Sequence, residues 1–435
     1  MSRKYMTATA PLLLALSACA STPDHSAQYS DVTLFTAVDV FGAPEGRVIA
    51  AQDVTIADGR IVSIEPASEN SAPAGARIID GRGHTLLPGL INSHIHLTGN
   101  ADAAAVLEGM LAMGITSVRD LAGDARPLAE LERQRIAGER VLPELVYSAL
   151  IAGPELMGDP RAVFSSQGYE PGDAPWMRAV TADSDLPTII AEARATGASG
   201  IKVYASLEPD LLIALTREAH AQGIQVWMHS VIFPANAADV VAARPDQIIH
   251  TKGLASMDDT GLPDNFAQGI GEYVPTIPFT ERDPTGPFYL QLFAVMSANR
   301  IMLDPSLVAD GDMALAQGRD LPPPMLALRD WACRATGEAW RAGVPISAGT
   351  DFSGEGDMFM MELRRLHECG VSLPGVLAAA TWNNAHALGI ESRTGRIAPG
   401  YEADLLLVEG DPTRDLAALE AVAHVFADGV EVPRE

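Results

Sequence analysis

The sequence of 435 residues predicts an α/β protein whose main body is an eight-stranded (β/α)8 barrel of the TIM type. From about residue 86 to residue 390, short apolar runs typical of strands alternate with helical stretches rich in Ala, Leu, Glu and Arg. This alternation is typical of βαβ units around a parallel sheet. Side chains able to bind metal end several of these runs between His94 and Asp351, a span of 258 residues. That span is close to the roughly 250 residues of one barrel.

The start of the chain predicts export. Arg3 and Lys4 precede an apolar run over residues 10–16 that ends in small residues. This pattern is typical of a secretory signal, and the run is too short to span a bilayer as a helix. We therefore expect residues 1–18 to be a signal peptide and residues 19–30 to be a polar tether.

The end of the predicted signal resembles the lipobox of bacterial lipoproteins, with the sequence Leu16-Ser17-Ala18-Cys19. The resemblance implies that Cys19 receives a lipid and becomes the mature N-terminus. Ala20 in the next position implies an outer-membrane location facing the periplasm. The alternative is an ordinary cleaved signal with an incidental cysteine. No other segment reaches the ~20 apolar residues of a spanning helix, so the lipid would be the only membrane attachment.

The charge balance excludes one class of partner. The chain carries 30 Lys and Arg against 56 Asp and Glu, a formal net charge of −26. A general nucleic-acid binder needs cations to neutralise phosphates, so we expect no nucleic-acid partner. Lysine is rare: Lys4, Lys202 and Lys252 are the three in the sequence.

Both ends of the mature chain are rich in short β-branched runs. In the first, Asp58-Gly59 is a hairpin signal between two runs. The predicted strands of these ends are Val32–Phe35, Val54–Ile56, Ile61–Ile64, Arg77–Ile79, Ala403–Val408 and His424–Phe426.

The predicted barrel strands follow the same logic of short apolar runs. They include residues 86–92, 115–118, 201–204, 226–228, 248–249, 300–303 and 344–347. Residues 272–325 contain many prolines and are the least regular stretch, so we expect long loops there. Cys333 and Cys369 fit buried, unpaired thiols best, although an exported protein could pair them.

Five of the predicted barrel strands have, at or near their ends, side chains that can bind a metal ion. His94 and His96 are two positions apart, so on a strand both imidazoles point to the same side. Lys202 lies inside an apolar run, where a bare ammonium is costly. His229, His250 and Asp351 each close a run, at the barrel face where catalysis is usual. Taken alone, each of these histidines could instead be a structural residue of the core.

Four motifs in order resemble the amidohydrolase superfamily, and most closely its imidazolonepropionase-like and prolidase-like members, which include secreted bacterial dipeptidases. The motifs are residues 87–96, which end in His94-Ile95-His96, Gly349-Thr350-Asp351, residues 381–389 and residues 395–405. The resemblance implies a distorted (β/α)8 barrel with a small β-sandwich formed by both ends of the mature chain. Residues 31–85 and 391–435 would form the sandwich, and residues 86–390 the barrel.

The resemblance also implies a set of ligands for two divalent metal ions. His94, His96 and Asp351 would hold one ion, and His229 and His250 the other. Lys202 would bridge them as a carbamate made with CO2. Zinc suits these nitrogen and oxygen ligands best, with manganese, cobalt or iron as alternatives.

The predicted mechanism is hydrolysis by a hydroxide held between the two ions. Asp351 would take the proton of the water and pass it to the leaving nitrogen. Tyr204, two residues after Lys202, could donate to the developing oxyanion, or could be a barrel-wall aromatic. Arg119 could bind a substrate carboxylate bidentately, or could be an ordinary arginine.

The predicted function is cleavage of C–N amide bonds in small molecules, with dipeptides or N-acyl amino acids as substrates. A phosphotriesterase or lactonase on the same centre is an alternative that the metal ligands do not exclude. A mononuclear deaminase is disfavoured because Ile232 stands where such enzymes commonly have a glutamate. A non-catalytic binding lipoprotein is the remaining alternative. The oligomeric state stays open, a homo-oligomer included.

Overall fold

The computed structural model describes residues 31–68, 72–258, 262–264, 278–352 and 357–433. The predicted signal peptide, the tether and Cys19 lie outside the described residues. Among the residues described, no helix is both long enough and apolar enough to cross a membrane.

The strands are numbered in chain order. They are β1 (Thr33–Gly42), β2 (Arg47–Ala57), β3 (Arg60–Pro66), β4 (Arg77–Asp80), β5 (His84–Pro88), β6 (Leu90–Ile95), β7 (Ile115–Asp120), β8 (Glu144–Ala152), β9 (Asp173–Ala174), β10 (Met177–Ala179), β11 (Gly200–Val203), β12 (Gln225–His229), β13 (Gln247–Ile249), β14 (Met302–Asp304), β15 (Leu405–Glu409), β16 (Val422–Ala427) and β17 (Val430–Glu431).

Most α-helices lie between the strands β6 and β15. They span Ala103–Ala112, Ala125–Ile136, Pro160–Ser165, Leu186–Ala195, Pro209–Ala221, Ala237–Ala242, Pro287–Asn299, Asp312–Ala316, Pro323–Arg341, Asp357–Glu368, Leu373–Ala379 and Trp382–Leu388. Aspartates cap several helix starts; for example, Asp124 accepts from the Arg126 amide and Asp185 from the Thr188 amide. Such caps satisfy amides that have no partner within the helix.

The two ends of the chain form one sheet, in the order β17-β16-β15-β5-β1-β2-β3, with β4 paired to β1. The join is the antiparallel pair of β5 and β15, which places Leu405 opposite Pro88. The rings of Phe35 on β1 and Phe426 on β16 lie 5.4 Å apart although two strands separate them in the sheet. The sheet therefore bends around its own core. The turn at Asp58-Gly59, with positive φ at both residues, confirms the predicted hairpin.

Seven parallel strands form the barrel, in the order β6, β7, β8, β11, β12, β13 and β14. Residues 344–351 occupy the eighth position. Leu303 on β14 pairs with Ile346 of this segment. On the other side, the Ser93 amide donates to Ala348 O at 3.0 Å and the Asp351 amide to His94 O at 2.9 Å. The predicted α/β class and the barrel with a small terminal β-domain are confirmed.

A side chain from the C-terminal part of the chain completes the seam between the first and eighth positions. The Asn384 amide nitrogen donates to the backbone oxygens of Ile91 and Ala348, and its oxygen accepts from the Ala348 amide. Asn383 donates to Ile346 O at 2.8 Å. The asparagines of the motif over residues 381–389 therefore tie the two edges of the barrel together.

Two local expectations are wrong. The seventh barrel strand is Met302–Asp304 and not residues 300–303, because Arg300 ends the preceding helix in a left-handed conformation. Residues 278–325, the described part of the proline-rich stretch 272–325, are also more regular than their prolines indicate. Pro287 stands at the start of the 13-residue helix Pro287–Asn299, where its missing N–H costs nothing.

Cys333 and Cys369 form a disulfide, which the sequence analysis did not favour. Cys333 lies in the helix Pro323–Arg341 and Cys369 directly follows the helix Asp357–Glu368, with their Cα atoms 5.0 Å apart. The bond joins the helices on either side of the eighth barrel position. It closes a loop with a sequence separation of 36 residues.

We expect the double variant C333A/C369A to lose about 2–4 kcal/mol of unfolding free energy, because the unfolded chain is no longer cross-linked. Denaturant unfolding of the variant and of the wild type, each with and without reductant, measures the loss. Reductant should destabilise the wild type alone. Equal stability of the oxidised wild type and the variant would show that the bond does not contribute.

Candidate metal centre

Six side chains converge at the carboxyl end of the barrel strands. His94 lies near the end of β6 with His96 just beyond it, His229 ends β12, and His250 directly follows β13. Asp351 ends the segment at the eighth position, and Lys202 lies on β11. All the metal ligands predicted from the sequence are thus brought together. His96, Lys202, His229, His250 and Asp351 line one cavity of about 640 Å³.

Asp351 is at the middle of the cluster. Its Oδ1 lies 3.0 Å from His94 Nε2 and 3.0 Å from His96 Nε2, and its Oδ2 lies 3.8 Å from His250 Nε2. One ligand atom each from His94, His250 and Asp351 fall within 4.8 Å of one another. This is a spacing at which three side chains can share one ion.

The other half of the cluster is a group of aromatic rings in edge-on and tilted contact near Lys202. The His229 and His250 ring centres lie 4.8 Å apart, and the Tyr204 ring centre lies 4.1 Å from that of His229. Lys202 has 1% of its surface exposed. Lys202 on β11 and His229 on the adjacent strand β12 line the same cavity as Asp351.

Burial and neighbouring charges together determine the protonation states of the side chains in the cluster. Burial lowers the pKa of His229 and of His250 well below the usual value, and the charge of Lys202 lowers both further. Burial also lowers the pKa of Lys202 to about 7. For Asp351, burial alone would raise the pKa, but His94 and His250 outweigh it and the pKa falls well below its usual value. Neutral imidazoles and an ionised carboxylate are the forms that bind metal.

The other ring nitrogen of His94 is held by a carboxylate that the sequence analysis did not select. Asp304 Oδ2 lies 3.1 Å from His94 Nδ1, and the Ser306 hydroxyl donates to Asp304 Oδ1 at 2.9 Å. Asp304 is fully buried. Such a carboxylate fixes the tautomer and direction of a metal-binding histidine. Asp304 is the last residue of β14, and a polar residue at a strand end is a sign of a site residue. Because the strand was predicted at residues 300–303, Asp304 fell outside it.

The donor set fits a cation. With Nδ1–H of His94 donated to Asp304, Nε2 is left as an acceptor, yet it faces the carboxylate Oδ1 of Asp351. Within the described part of the chain, this buried Nε2 has no hydrogen-bond partner. Two acceptors at 3.0 Å repel each other unless a cation lies beside both. A divalent ion bound by nitrogen and oxygen ligands would satisfy both atoms.

The backbone at this site is strained and tightly packed. His250 and Asp351 have φ of 68° and 60°, a left-handed conformation that costs of order 1 kcal/mol or more for such residues. Gly349 is needed for packing, since a Cβ there would lie 2.5 Å from His94 Cβ and 2.7 Å from Asp304 Oδ2. The glycine of Gly349-Thr350-Asp351 thus leaves room for the His94–Asp304 pair.

Tyr204 is placed where it can face a substrate. It directly follows β11 and lines the cavity. Burial raises the pKa of the Tyr204 phenol, and the charge of Arg161, together with a hydrogen bond from it, partly opposes that shift. The phenol is therefore protonated at neutral pH and can donate a hydrogen bond.

Arg119 lies elsewhere. It is fully buried inside the barrel, where its Nη1 donates to Ala387 O at 2.6 Å and its Nη2 donates to Gln247. Its guanidinium carbon lies 4.3 Å from the Trp227 ring centre. Arg119 is not among the residues that line the cavity, so its location does not match the substrate contact expected from the sequence. Its position in β7, one residue before the strand ends, directs it inward.

We expect Asp304→Asn to weaken metal binding by about 10–100-fold, because the amide cannot supply the charge that supports His94. Titration with zinc against a competing chelator measures the affinity. Asp246→Asn is the matched control, since Asp246 contacts His220 at 2.9 Å in a separate carboxylate–histidine pair. Equal zinc affinities for the two variants would contradict the role given to Asp304.

Residues 85–432 match the amidohydrolase family. An imidazolonepropionase from Micrococcus luteus is 34% identical over 116 residues, which cover 25% of this chain and 27% of that protein. An enamidase from Eubacterium barkeri is 24% identical over 414 residues, 90% of each chain. The match to the Micrococcus luteus imidazolonepropionase therefore covers about a quarter of the length of that protein.

A solved structure described as a Xaa-Pro dipeptidase with bound methionine in the active site superposes with a TM-score of 0.72. It is 21% identical, and the match covers 92% of this chain and 99% of that one. This likeness supports the fold. The family match covers residues 85–432, most of the chain, and therefore the chain belongs to the amidohydrolase family.

Proposed function

We propose that the protein is a binuclear metal-dependent hydrolase that cleaves C–N amide bonds of small molecules, with dipeptides or N-acyl amino acids as its substrates. The observation that carries the proposal is the convergence of three histidines, one lysine and one aspartate on a single cavity, with a fourth histidine, His94, in contact with that aspartate. The names of two similar proteins, an enamidase and a Xaa-Pro dipeptidase, refer to amide and dipeptide substrates.

The residues divide into two ligand groups. His94, His96 and Asp351 would hold one ion, and His229 and His250 the other, with Lys202 between them as a carbamate. Arginine could not replace this lysine, because it stays charged and forms no bridging carbamate. Zinc suits the donors best, with manganese, cobalt or iron as alternatives. The ions would supply an activated water and polarise the carbonyl to be attacked.

The side chains of the protein perform the proton transfers. Asp351 lies at the centre of the cluster and would accept the proton of the attacking water at a carboxylate oxygen. It would then deliver that proton to the leaving nitrogen. The Tyr204 hydroxyl, beside His229, would donate a hydrogen bond to the carbonyl oxygen as negative charge develops there.

Export and lipid anchoring at Cys19 form a second part of the proposal. The disulfide between Cys333 and Cys369 supports it, because such bonds persist in oxidising compartments and are rare in the cytosol. The mature chain would be attached to the outer membrane and face the periplasm.

We expect protein purified without chelator to contain about two metal ions per chain, and Lys202→Ala to contain fewer and to lose activity. Metal analysis gives the first result, and carbon-13 NMR of protein supplied with labelled bicarbonate should show a carbamate signal that Lys202→Ala lacks. Full metal content and full activity in Lys202→Ala would refute the binuclear arrangement.

We expect a hydrolysis screen with added zinc to detect turnover of dipeptides or N-acyl amino acids above that of lactones and phosphotriesters. The physical reason is that Asp351 can protonate an amine leaving group, which an ester does not need as strongly. Asp351→Asn is the control for contaminating activity. Turnover confined to lactones or phosphotriesters would overturn the amide assignment.

We expect full-length protein expressed in a Gram-negative host to fractionate with the outer membrane and to carry a lipid at Cys19. Cys19→Ala should abolish lipid labelling, because the thiol is the acceptor. Mass spectrometry of the mature N-terminus distinguishes this from simple cleavage. A wild-type chain that begins at an unmodified residue would contradict the anchor.

A further inference from the structure

A second cation faces the cavity from outside the cluster. Arg161 lies at the start of the helix Pro160–Ser165, which follows β8, and it lines the cavity together with Asp159 and Pro160. Its side chain is 69% exposed, whereas that of Asp159 is 8% exposed. The guanidinium is therefore presented to the cavity on a buried carboxylate support.

The support holds one edge of the guanidinium. Nε of Arg161 donates to Asp159 Oδ1 at 2.9 Å, and Nη2 donates to Oδ2 at 2.8 Å. The backbone amide of Arg161 also donates to Asp159 Oδ1, which caps the helix. A guanidinium has further N–H groups on its two terminal nitrogens that can bind another carboxylate. In Arg161 these groups also make a hydrogen bond with Tyr204, so a bound carboxylate would lie next to the phenol. Anchoring of the edge held by Asp159 reduces the entropy lost when the other N–H groups bind a carboxylate.

Arg161 lies about one aromatic ring away from the metal ligands. Its guanidinium carbon is 5.8 Å from the Tyr204 ring centre, and that ring packs 4.1 Å from the His229 ring. A carboxylate bound to Arg161 would thus lie beside Tyr204, with the rest of the molecule extending toward the cluster. In a chain with a net charge of −26, such a local cation favours the approach of an anion.

Apolar side chains surround the same part of the cavity. Phe164, three residues after Arg161 on the same helix, lines the cavity and is 49% exposed. Leu150, Leu156 and Met177 also line it. Residues three apart share a helix face, so one short helix offers both an anion contact and an apolar contact.

We propose that Arg161 binds the substrate carboxylate, and that the substrates are amides whose amine part is an amino acid with a large apolar side chain. The inference rests on the proposed function and narrows its substrate class. It gives to Arg161 the role that the sequence analysis assigned to Arg119. The apolar side chain would pack against Phe164 and the neighbouring aliphatic residues.

The chain contains a matched control at Arg126. Asp124 caps the helix Ala125–Ile136 as Asp159 caps the other, and the Arg126 Nε and Nη2 donate to Asp124 at 3.0 and 2.6 Å. Arg126 contacts Trp176 and Gln167 and is not among the residues that line the cavity. Arg126→Gln therefore removes the same local interaction as Arg161→Gln without changing the cavity.

The test uses the zinc-loaded protein and a probe that cannot be hydrolysed, N-methanesulfonyl-L-phenylalanine, with its primary amide and the glycine analogue for comparison. Calorimetry should show that the wild type binds the acid at least about tenfold more tightly than the amide or the glycine analogue. Arg161→Gln should remove the preference for the acid over the amide, Arg161→Lys should keep part of it, and Arg126→Gln should leave it unchanged. In turnover of N-acetyl-L-phenylalanine, Arg161→Gln should raise KM far more than it lowers kcat.

Equal binding of acid and amide to the wild type would overturn the inference, as would equal losses in Arg161→Gln and Arg126→Gln. Tighter binding of the glycine analogue would overturn the apolar part. Loss of the acid preference in Arg161→Gln without hydrolysis of any acyl amino acid would support the carboxylate site while contradicting the proposed function. The binding measurement thus separates the two.

Discussion

The site depends on the seam between the first and eighth positions of the barrel. His94 and His96 come from one edge and Asp351 from the other, and they meet because backbone hydrogen bonds join Ser93 to Ala348 and His94 to Asp351. Asn384 reinforces that seam with its amide group. Since residues 344–351 form only a short extended segment, these few bonds carry the closure that a full strand pair would otherwise share. The candidate metal centre and the barrel closure are therefore one structural unit.

The same unit explains why so many polar groups can be buried here. Lys202, Asp304 and His94 are almost without solvent contact. Unpaired burial of such groups costs several kcal/mol. Asp304 offsets part of this cost by supporting His94, and a cation bound between Asp351 and the three imidazoles that it faces would offset more. The left-handed backbone at His250 and Asp351 is a further cost that the surrounding core must offset.

The barrel and the proposed metal ligands could be predicted from the sequence because they follow a simple rule. Polar residues that end parallel apolar strands meet at one edge of the sheet. His229, His250 and Asp351 follow this rule directly. Asp304 was missed because β14 has three residues and its start lies beside a left-handed Arg300, so the run was placed too early. The direction of the Arg119 side chain was not predicted, because every residue of β7 is buried. The strand therefore shows no alternation of polar and apolar residues that would indicate which way this side chain points. The pairing of Cys333 with Cys369 depends on helix packing, for which the sequence contains no local signal.

The size of the cavity has a consequence for the supply of substrate. A volume of about 640 Å³ accepts a molecule of drug-like size, and a folded domain cannot reach the base of such a space. If the proposed substrates begin as part of a polymer, other hydrolases would first have to cut that polymer into pieces of one or two building blocks. Under the proposed function, the flux through this site would then follow the rate at which such fragments arrive.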